Sequence, residues 1–172
     1  FILNVGTIEE RKNLLLIVKA ISNLNIDLVA VGKETPYTKI VKDYITEHKI
    51  ENKVHFVKDV ELNELAILYQ CAKIFVYPSI YEGFGIPIIE ALMSKTPVIT
   101  SKQGVFKEVG GQHSIYINPF DADELGVEIQ KLLSNPKTCK KMIDEGCKHA
   151  EKFDNKKVAR EVFECYKQLL GR

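Results

Sequence analysis

Two glutamates, Glu82 and Glu90, stand eight positions apart and are the residues of this sequence best suited to chemistry. Glu82 precedes two glycines, Gly83 and Gly85, and a ligand can approach the backbone closely at residues that lack a Cβ. Glu90 has apolar neighbours on both sides, and an ionised carboxylate is rarely buried without a hydrogen-bonding partner. We therefore expect both carboxylates to bind polar groups, such as the hydroxyls of a ligand.

A helix is predicted to begin within the same segment. Pro87 suits a first helical turn, because its missing N–H costs nothing there. The amino end of a helix that opens at a glycine turn is a ready anion site, and the candidate donors are the N–H groups of Phe84, Gly85 and Ile86. Carboxylates for hydroxyls, together with free N–H groups for an anion, are what a phosphate-linked sugar would require.

A basic pair, Arg11 and Lys12, follows the first apolar run. Thr7 and Glu10 fit a capping box, which predicts a helix that starts at Ile8. The basic pair then lies near the start of that helix, where cations are unfavourable unless an anion binds between them. A solvated helix face is the alternative interpretation. The turn lacks the G-x-G-x-x-G pattern, which argues against a dinucleotide enzyme.

Short apolar runs alternate with helical patterns along most of the chain. The predicted strands are 2–5, 27–31, 54–57, 74–77, 97–100 and 114–117. The predicted helices are 8–22, 36–48, 61–71, 86–94, 103–109, 121–134, 136–152 and 155–170. This alternation predicts a Rossmann-like α/β domain of three layers, with a mainly parallel sheet of about six strands and extra C-terminal helices. The strands read as continuous apolar runs, as expected when helices cover both faces.

Bulk composition limits the function classes. A length of 172 residues predicts one domain, and a net charge of +1 gives no reason to expect nucleic acid as a partner. No apolar run is long enough for a transmembrane helix, and no signal peptide is visible. The four cysteines show no C-x-x-C spacing, so we expect free thiols in a reducing, cytoplasmic setting and no metal site. The chain opens on a strand without an initial Met, which favours a fragment of a larger protein.

The two glutamates and their flanking runs resemble the E-x7-E region of retaining glycosyltransferases of family 4, the group 1 enzymes with a GT-B fold. The matching segments are Phe75–Ser79, Tyr81–Leu92 and Thr96–Ser101, and the resemblance extends over nearly the whole chain. It implies that residues 1–172 are the nucleotide-sugar (donor) binding half of a two-domain enzyme, whose N-terminal acceptor domain is absent from this chain. The structural alternative is a strand, a turn and a core helix with Glu90 merely in a salt bridge.

The resemblance also implies roles for individual residues. Glu82 would be the catalytic residue that holds the hydroxyls of the transferred sugar, and Glu90 would hold the ribose hydroxyls. Lys12 matches the family lysine on the donor diphosphate, and Arg11 matches the arginine of the Arg-Lys-Asn variant. The other donor-binding candidates are Gly6, Thr7, Val60, Gly83, Phe84, Gly85 and Ile86.

Two of these assignments have particular reasons. Thr7 stands where many family members have an arginine, so Arg11 is expected to supply that phosphate contact. Val60 stands where family members offer backbone groups to the base.

Asp121 and Asp123 look like the D-x-D metal motif of the other large glycosyltransferase fold, but they open a helix, so we expect Asp121 to be an N-cap. Glu108 matches a Pro-Glu turn of the family, and it is either a support of the donor pocket or a surface carboxylate.

The expected activity is that of a hexosyltransferase, which moves a sugar from a nucleoside diphosphate to an acceptor hydroxyl with retention. No metal or other cofactor is expected, since cations and backbone dipoles can stabilise the leaving diphosphate. The expected partners are the nucleotide sugar and the N-terminal acceptor domain, through which any membrane association at the inner face would occur. The fragment alone is expected to be inactive.

Two other functions stay open at this point. The first is a non-transferring relative of the same fold, either a nucleotide-sugar epimerase or a phosphorylase that carries pyridoxal phosphate on a lysine. An absorbance spectrum would reveal that cofactor. The second is a non-catalytic nucleotide-sugar-binding module. An upstream Rossmann-like half in the full-length gene would favour an enzyme.

Overall fold

Six parallel strands form one sheet in the order β3-β2-β1-β4-β5-β6. The computed structural model describes residues 1–171. The strands are β1 Ile2–Val5, β2 Leu28–Val31, β3 Val54–Val57, β4 Ile74–Tyr77, β5 Val98–Ser101 and β6 Ile115–Ile117. The chain runs outward from β1 to β3 and then returns to pair β4 with the other side of β1. The order of the strands therefore reverses between β1 and β4, and this is where open α/β sheets bind ligands.

Helices cover both faces of the sheet. They are α1 Leu14–Ile21, α2 Tyr37–Glu47, α3 Leu62–Cys71, α4 Ile86–Met93, α5 Phe106–Gly110, α6 Ala122–Leu133, α7 Pro136–Ala150 and α8 Asn155–Leu169. Short 3₁₀ turns occupy Glu10–Lys12, Glu51–Lys53 and Glu151–Phe153. No helix among the described residues is long and apolar enough to cross a membrane.

Alternate residues of each strand enter two separate cores. On one face, Ile74 and Val76 of β4 pack with residues of α1, α2 and α6. On the other face, Phe75 and Tyr77 pack with residues of α3, α4 and α5. Because helices cover both faces of the sheet, most strand positions carry apolar side chains, and the exceptions are Asn4, His55, Thr100 and Ser101. The predicted three-layer α/β fold with a six-stranded parallel sheet is confirmed.

The prediction of a first helix over 8–22 is wrong at its start. Helix α1 begins at Leu14, after the 3₁₀ turn and after Asn13, which has a left-handed φ of 61°. Ile8 is buried, and its N–H donates to the carbonyl of Lys33 at 2.9 Å, so it is tied to the loop after β2. The Thr7–Glu10 capping box is therefore not formed. The other elements begin and end within about two residues of their predicted bounds, except α5, which begins at Phe106, three residues after its predicted start at 103.

Helix α8 differs from the other helices in its packing. None of its described residues is buried, although an apolar stripe runs along it. The exposed members of that stripe are Val158, Val162, Phe163, Tyr166 and Leu169, with exposures from 41% to 78%. The sequence predicted this stripe, and within this chain it faces solvent.

The first two βα turns approach each other too closely for a side chain at Gly32. A Cβ there would lie 2.0 Å from the carbonyl oxygen of Gly6, and φ at Gly32 is +155°.

We expect Gly32→Ala to lower the free energy of unfolding by about 2–5 kcal/mol, since the costs of backbone strain and of overpacking add. The matched control is Gly104→Ala, which has φ +60° but open space, and it should cost only about 1 kcal/mol. Urea unfolding of both variants measures this, and equal losses would contradict the close-approach explanation.

Candidate active site

The candidate active site lies at the carboxyl ends of β1 and β4, the two strands between which the strand order reverses. The 3₁₀ turn Glu10–Lys12 follows β1, and the loop that carries Glu82 follows β4. Parallel strands bring their carboxyl ends to one edge of the sheet, so these two segments meet although they are about 70 residues apart in the chain. The predicted basic pair and the first predicted glutamate therefore face one another.

Glu82 accepts bonds from four side chains. Arg11 Nη1 lies 2.8 Å from Oε2, and Lys12 Nζ lies 2.5 Å from Oε1. The hydroxyls of Tyr77 and Ser79 also lie 2.9 and 2.8 Å from Oε1. The Glu82 side chain is only 11% exposed, so this carboxylate is largely shielded from water.

The charges of the cluster are balanced. Arg11 also pairs with Glu9 at 2.8 Å, so the two cations face two carboxylates. Lys12 Nζ additionally donates to the Tyr77 hydroxyl at 2.5 Å, and that hydroxyl in turn donates to Glu82. A hydroxyl that accepts from one group and donates to the next strengthens both bonds. Tyr77 thus links Lys12 to Glu82 by a second route.

This environment shifts the pKa of two groups. Desolvation by burial would raise the pKa of Glu82, but hydrogen bonds from Lys12, Ser79, Arg11 and Tyr77 outweigh burial and lower it to about 2. Burial, followed by the hydrogen bond to Glu82, raises the pKa of the Tyr77 phenol well above its usual range. Glu82 is therefore an acceptor and Tyr77 a donor at neutral pH.

The loop after β4 is fastened to the basic turn by backbone bonds. The N–H of Ile80 donates to the carbonyl of Arg11 at 2.8 Å. Ser79 is fully buried, with its hydroxyl 3.0 Å from that same carbonyl, and its own carbonyl accepts from Ser101 Oγ at 2.6 Å. These contacts fix the position of Glu82 three residues later.

Asn13 joins three segments at this edge. Its side-chain Nδ2 donates to the carbonyl of Pro78 at 3.2 Å and to that of Pro119 at 2.6 Å. Asparagine tolerates the left-handed conformation found here better than most residues do. Asn13 thereby ties the basic turn to the loops after β4 and β6.

Free backbone donors lie just beyond Glu82. Helix α4 begins at Ile86, and its N-cap, Gly85, has φ 110°. The N–H groups of Phe84, Gly85 and Ile86 donate to no acceptor among the described residues. No side chain presses on Gly83, where an added Cβ would meet nothing within 4 Å. These open donors lie where the sequence predicts an anion site at a helix amino end, and that assignment stays a prediction.

The second glutamate, Glu90, has a different environment. Glu90 is half-buried on α4, and its Oε2 accepts from the Tyr69 hydroxyl of α3 at 2.8 Å. Burial, followed by the charge of Glu90, raises the pKa of the Tyr69 phenol, which therefore stays protonated as the donor. No ion pair to Glu90 occurs within the described part of the chain, so the salt-bridge alternative is not what holds it. One carboxylate oxygen remains available for a ligand.

Val60 lines a groove of about 520 Å³ beside the ends of β2 and β3. Gly32 and Leu65 line it too, and Gly32 contacts the turn at Gly6. Leu65 and Tyr69 are one turn apart on α3, so this helix connects the groove with Glu90. Thr7 is exposed and its side chain binds none of the described residues. The groove lies beside β2 and β3, which are on the other side of β1 from β4 and the loop that carries Glu82.

Asp121 and Glu108, two further candidates from the sequence, make contacts that support the fold. Asp121 caps α6, with its carboxylate accepting from the N–H of Glu124 at 2.8 Å, as expected. The Glu108 side chain is exposed, and it is the carbonyl of Glu108 that accepts from His149 and Lys152. Among residues 1–171, no group of three or more His, Cys, Asp or Glu is placed to hold a metal ion.

Four further residues of the site were missed in the sequence. They are Tyr77, Ser79, Asn13 and Tyr69. A signal existed for Tyr77, because it ends a buried strand and a buried phenol normally has a hydrogen-bond partner. Asn13 gave no such signal, since its two acceptors lie about 65 and 106 residues away in the chain.

The family model for glycosyl transferases group 1 matches residues 1–149. The chain belongs to the group 1 glycosyltransferases. Over 145 residues it is 37% identical to the O-antigen chain mannosyltransferase RfbU of Salmonella typhimurium, an alignment that covers 84% of this chain and 38% of that protein.

Solved structures support the fold. Sucrose-phosphate synthase of Thermosynechococcus elongatus superposes with a TM-score of 0.90 at 26% identity, over 99% of this chain and 45% of that one. Anabaena HepE, solved in complex with UDP-glucose, has a TM-score of 0.89 at 19% identity, over 98% of this chain and 49% of that one. This group 1 glycosyltransferase chain therefore has the fold of one half of a GT-B enzyme, and it spans less than half the length of these proteins.

The lowered pKa of Glu82 implies that this residue stabilises the folded state in a pH-dependent way. Its folded-state pKa of about 2 lies below the ordinary value of 4.5, so its contribution is present above pH 4.5 and is lost as the pH falls toward 2. We expect Glu82→Gln to lower the free energy of unfolding by about 2 kcal/mol at pH 7, allowing for solvent screening. The difference from wild type should shrink below about pH 4.

Urea unfolding at a series of pH values measures this difference. The control is Glu47→Gln, because Glu47 is exposed and in no ion pair with the described residues. A gap between wild type and Glu82→Gln that stays constant down to pH 2.5 would contradict the ion-pair account.

Proposed function

We propose that this chain is the donor-binding domain of a retaining glycosyltransferase that takes its sugar from a nucleoside diphosphate. The observation that carries the proposal is the meeting of Glu82, Arg11 and Lys12 at the reversal of strand order, beside the open N–H groups at the start of α4. Sugar hydroxyls need a carboxylate acceptor, and a diphosphate needs cations and N–H donors. All of these groups converge at one edge of the sheet.

The diphosphate is the leaving group in such a reaction. Its negative charge grows as the bond to the sugar breaks, and preorganised donors that stabilise this charge lower the barrier. Arg11, Lys12 and the N–H groups of Phe84, Gly85 and Ile86 are the donors that we assign to it. With this charge stabilised by the protein's own groups, the proposed reaction needs no metal ion and no other cofactor.

The nucleoside is proposed to lie in the groove at Val60. Glu90, with one oxygen held by Tyr69, would accept hydrogen bonds from the ribose hydroxyls. Gly6 is proposed to let the backbone of the first turn come close to the ligand, since the atoms nearest to a Cβ added there belong to the Lys12 side chain. The name of the relative RfbU makes a mannosyl donor, such as GDP-mannose, the first to test, and HepE makes UDP-glucose the second.

The acceptor is proposed to bind to another half of the full-length protein. This chain spans 38–49% of the proteins that it resembles, so more than half of their length has no counterpart here. Orienting two reactants can supply on the order of 7–11 kcal/mol of a barrier, and half of a cleft cannot orient the acceptor. We therefore propose that this fragment binds donor but does not transfer sugar to the natural acceptor. The full-length enzyme is proposed to work in the cytoplasm.

Donor binding can be tested on this chain alone. In a thermal-shift and calorimetric panel of UDP, GDP, ADP and their sugar conjugates, at least one should raise the melting temperature. Lys12→Gln should weaken that nucleoside diphosphate about tenfold or more and leave the bare nucleoside nearly unchanged, because a charge-assisted bond is worth about 1.5–3 kcal/mol. The control is Lys137→Gln, an exposed lysine of α7. Equal losses for nucleoside and diphosphate would remove Lys12 from the phosphate site.

A second test separates the role of Glu82 from that of the cations. Glu82 holds both Arg11 and Lys12, so an incoming diphosphate must compete with this carboxylate. We expect Glu82→Gln to bind the bare nucleoside diphosphate several-fold more tightly, because neutralising Glu82 removes the competing charge. In the full-length enzyme the same change should lower kcat strongly, since the sugar loses its acceptor. Weaker diphosphate binding together with unchanged turnover would refute the proposal.

A further inference from the structure

A cavity of about 450 Å³ opens at the amino-terminal edge of the sheet. Ile74 begins β4 and Pro97 directly precedes β5, and both line this cavity, whereas Glu82 follows the carboxyl end of β4. A strand of four residues spans about 13 Å, so the cavity and the candidate active site lie at opposite edges. They share no lining residue, and the inference below is independent of the proposed function.

The floor of the cavity is apolar. Its apolar lining residues are Ala72, Ile74, Pro97, Leu132, Leu133 and Ile143. They come from four separate places in the fold: the connection that enters β4, the residue before β5, the end of α6 and the second turn of α7. Each is buried or half-buried. The volume falls within the range of small-molecule sites, which is about 300–1,000 Å³.

The rim of the cavity is positively charged. Lys73, Lys95 and Lys140 line it and are exposed, and no acidic residue lines it. None of the three is in an ion pair with a described residue. Helix α7 begins beside them at Pro136, so the partial positive charge of its amino end adds to theirs. An anion bound at this rim would be attracted by all three lysines and by the amino end of α7.

We propose that this cavity binds an anionic amphiphile, a molecule with a phosphate or carboxylate head group on an apolar chain. The head group would be held by the three lysines and the chain would cover the apolar floor. A simple anion would leave the apolar floor exposed to water. A neutral apolar molecule would leave the lysines without an anionic partner. Only a ligand with both parts satisfies the whole lining.

The first test is calorimetry on the 172-residue chain with octyl phosphate below its micellar concentration. The comparison ligands are octyl glucoside and inorganic phosphate, which each carry one part of the proposed ligand. A triple variant, Lys73→Gln with Lys95→Gln and Lys140→Gln, should bind octyl phosphate about tenfold more weakly or worse. The matched control changes three exposed lysines outside the cavity, Lys141, Lys156 and Lys157, to Gln.

The second readout is a thiol within the site. Cys139 lines the cavity and is half-buried, whereas Cys165 on α8 is exposed. Bound octyl phosphate should slow alkylation of Cys139 by iodoacetamide several-fold and leave Cys165 unchanged. Burial raises the pKa of the Cys139 thiol, so the reaction is followed at alkaline pH and quantified by peptide mass spectrometry.

These experiments distinguish a membrane lipid from a soluble metabolite, and some of their outcomes would refute the proposal. Sedimentation with phosphatidic acid vesicles, lost in the triple variant and not in its control, would support a membrane lipid as the source of the head group. Octyl phosphate binding without such sedimentation would support a soluble metabolite. Equal binding of inorganic phosphate or of octyl glucoside, equal binding by the triple variant, or unprotected Cys139 would each overturn the amphiphile site.

Discussion

The bond between Glu82 and the basic pair organises the functional edge of this chain. Arg11 and Lys12 sit on a short 3₁₀ turn, and Glu82 sits in a glycine-containing loop, so neither segment has much regular structure of its own. The ion pairs, with Tyr77 and Ser79 as additional donors, fix both segments against the rigid ends of β1 and β4. Removing one partner would leave a poorly hydrated charge behind, which is costly. A preorganised site and a stable loop therefore rest on the same contacts.

The balanced charge of this cluster bears on how it would work. Two cations facing two carboxylates make the cluster neutral overall, so an anion would have to displace a carboxylate from its cation in order to bind there. The open N–H groups at α4 have no competing partner among the described residues, and they would receive a phosphate first. The cations would then exchange Glu82 for the diphosphate, and Glu82 would turn to the sugar. Under the proposed function, binding and alignment of the donor would be parts of one exchange of partners.

Much of the fold could be predicted from the sequence because both faces of the sheet are buried. Continuous apolar runs mark the strands, and Asp121 and Pro136 mark the starts of two helices. The start of α1 could not be predicted, since Ile8 is held by a bond to Lys33 on another turn and local capping rules do not include such a contact. The roles expected for Glu82 and Lys12 came from the family resemblance of the segments that contain them, and these roles stay predictions. Their mutual pairing, and the supports from Tyr77 and Asn13, depend on strand order and on contacts across 65 or more residues.

A crystal structure of this chain with the nucleoside diphosphate that binds most tightly tests the central claim most directly. The account predicts diphosphate oxygens within hydrogen-bonding distance of Lys12 Nζ and of the N–H groups of Gly85 and Ile86, with the base in the groove at Val60. It also predicts that Glu82 has left at least one of its two cations. A nucleotide bound elsewhere on the chain, or a diphosphate bound with both the Arg11 and the Lys12 pairs to Glu82 intact, would contradict it.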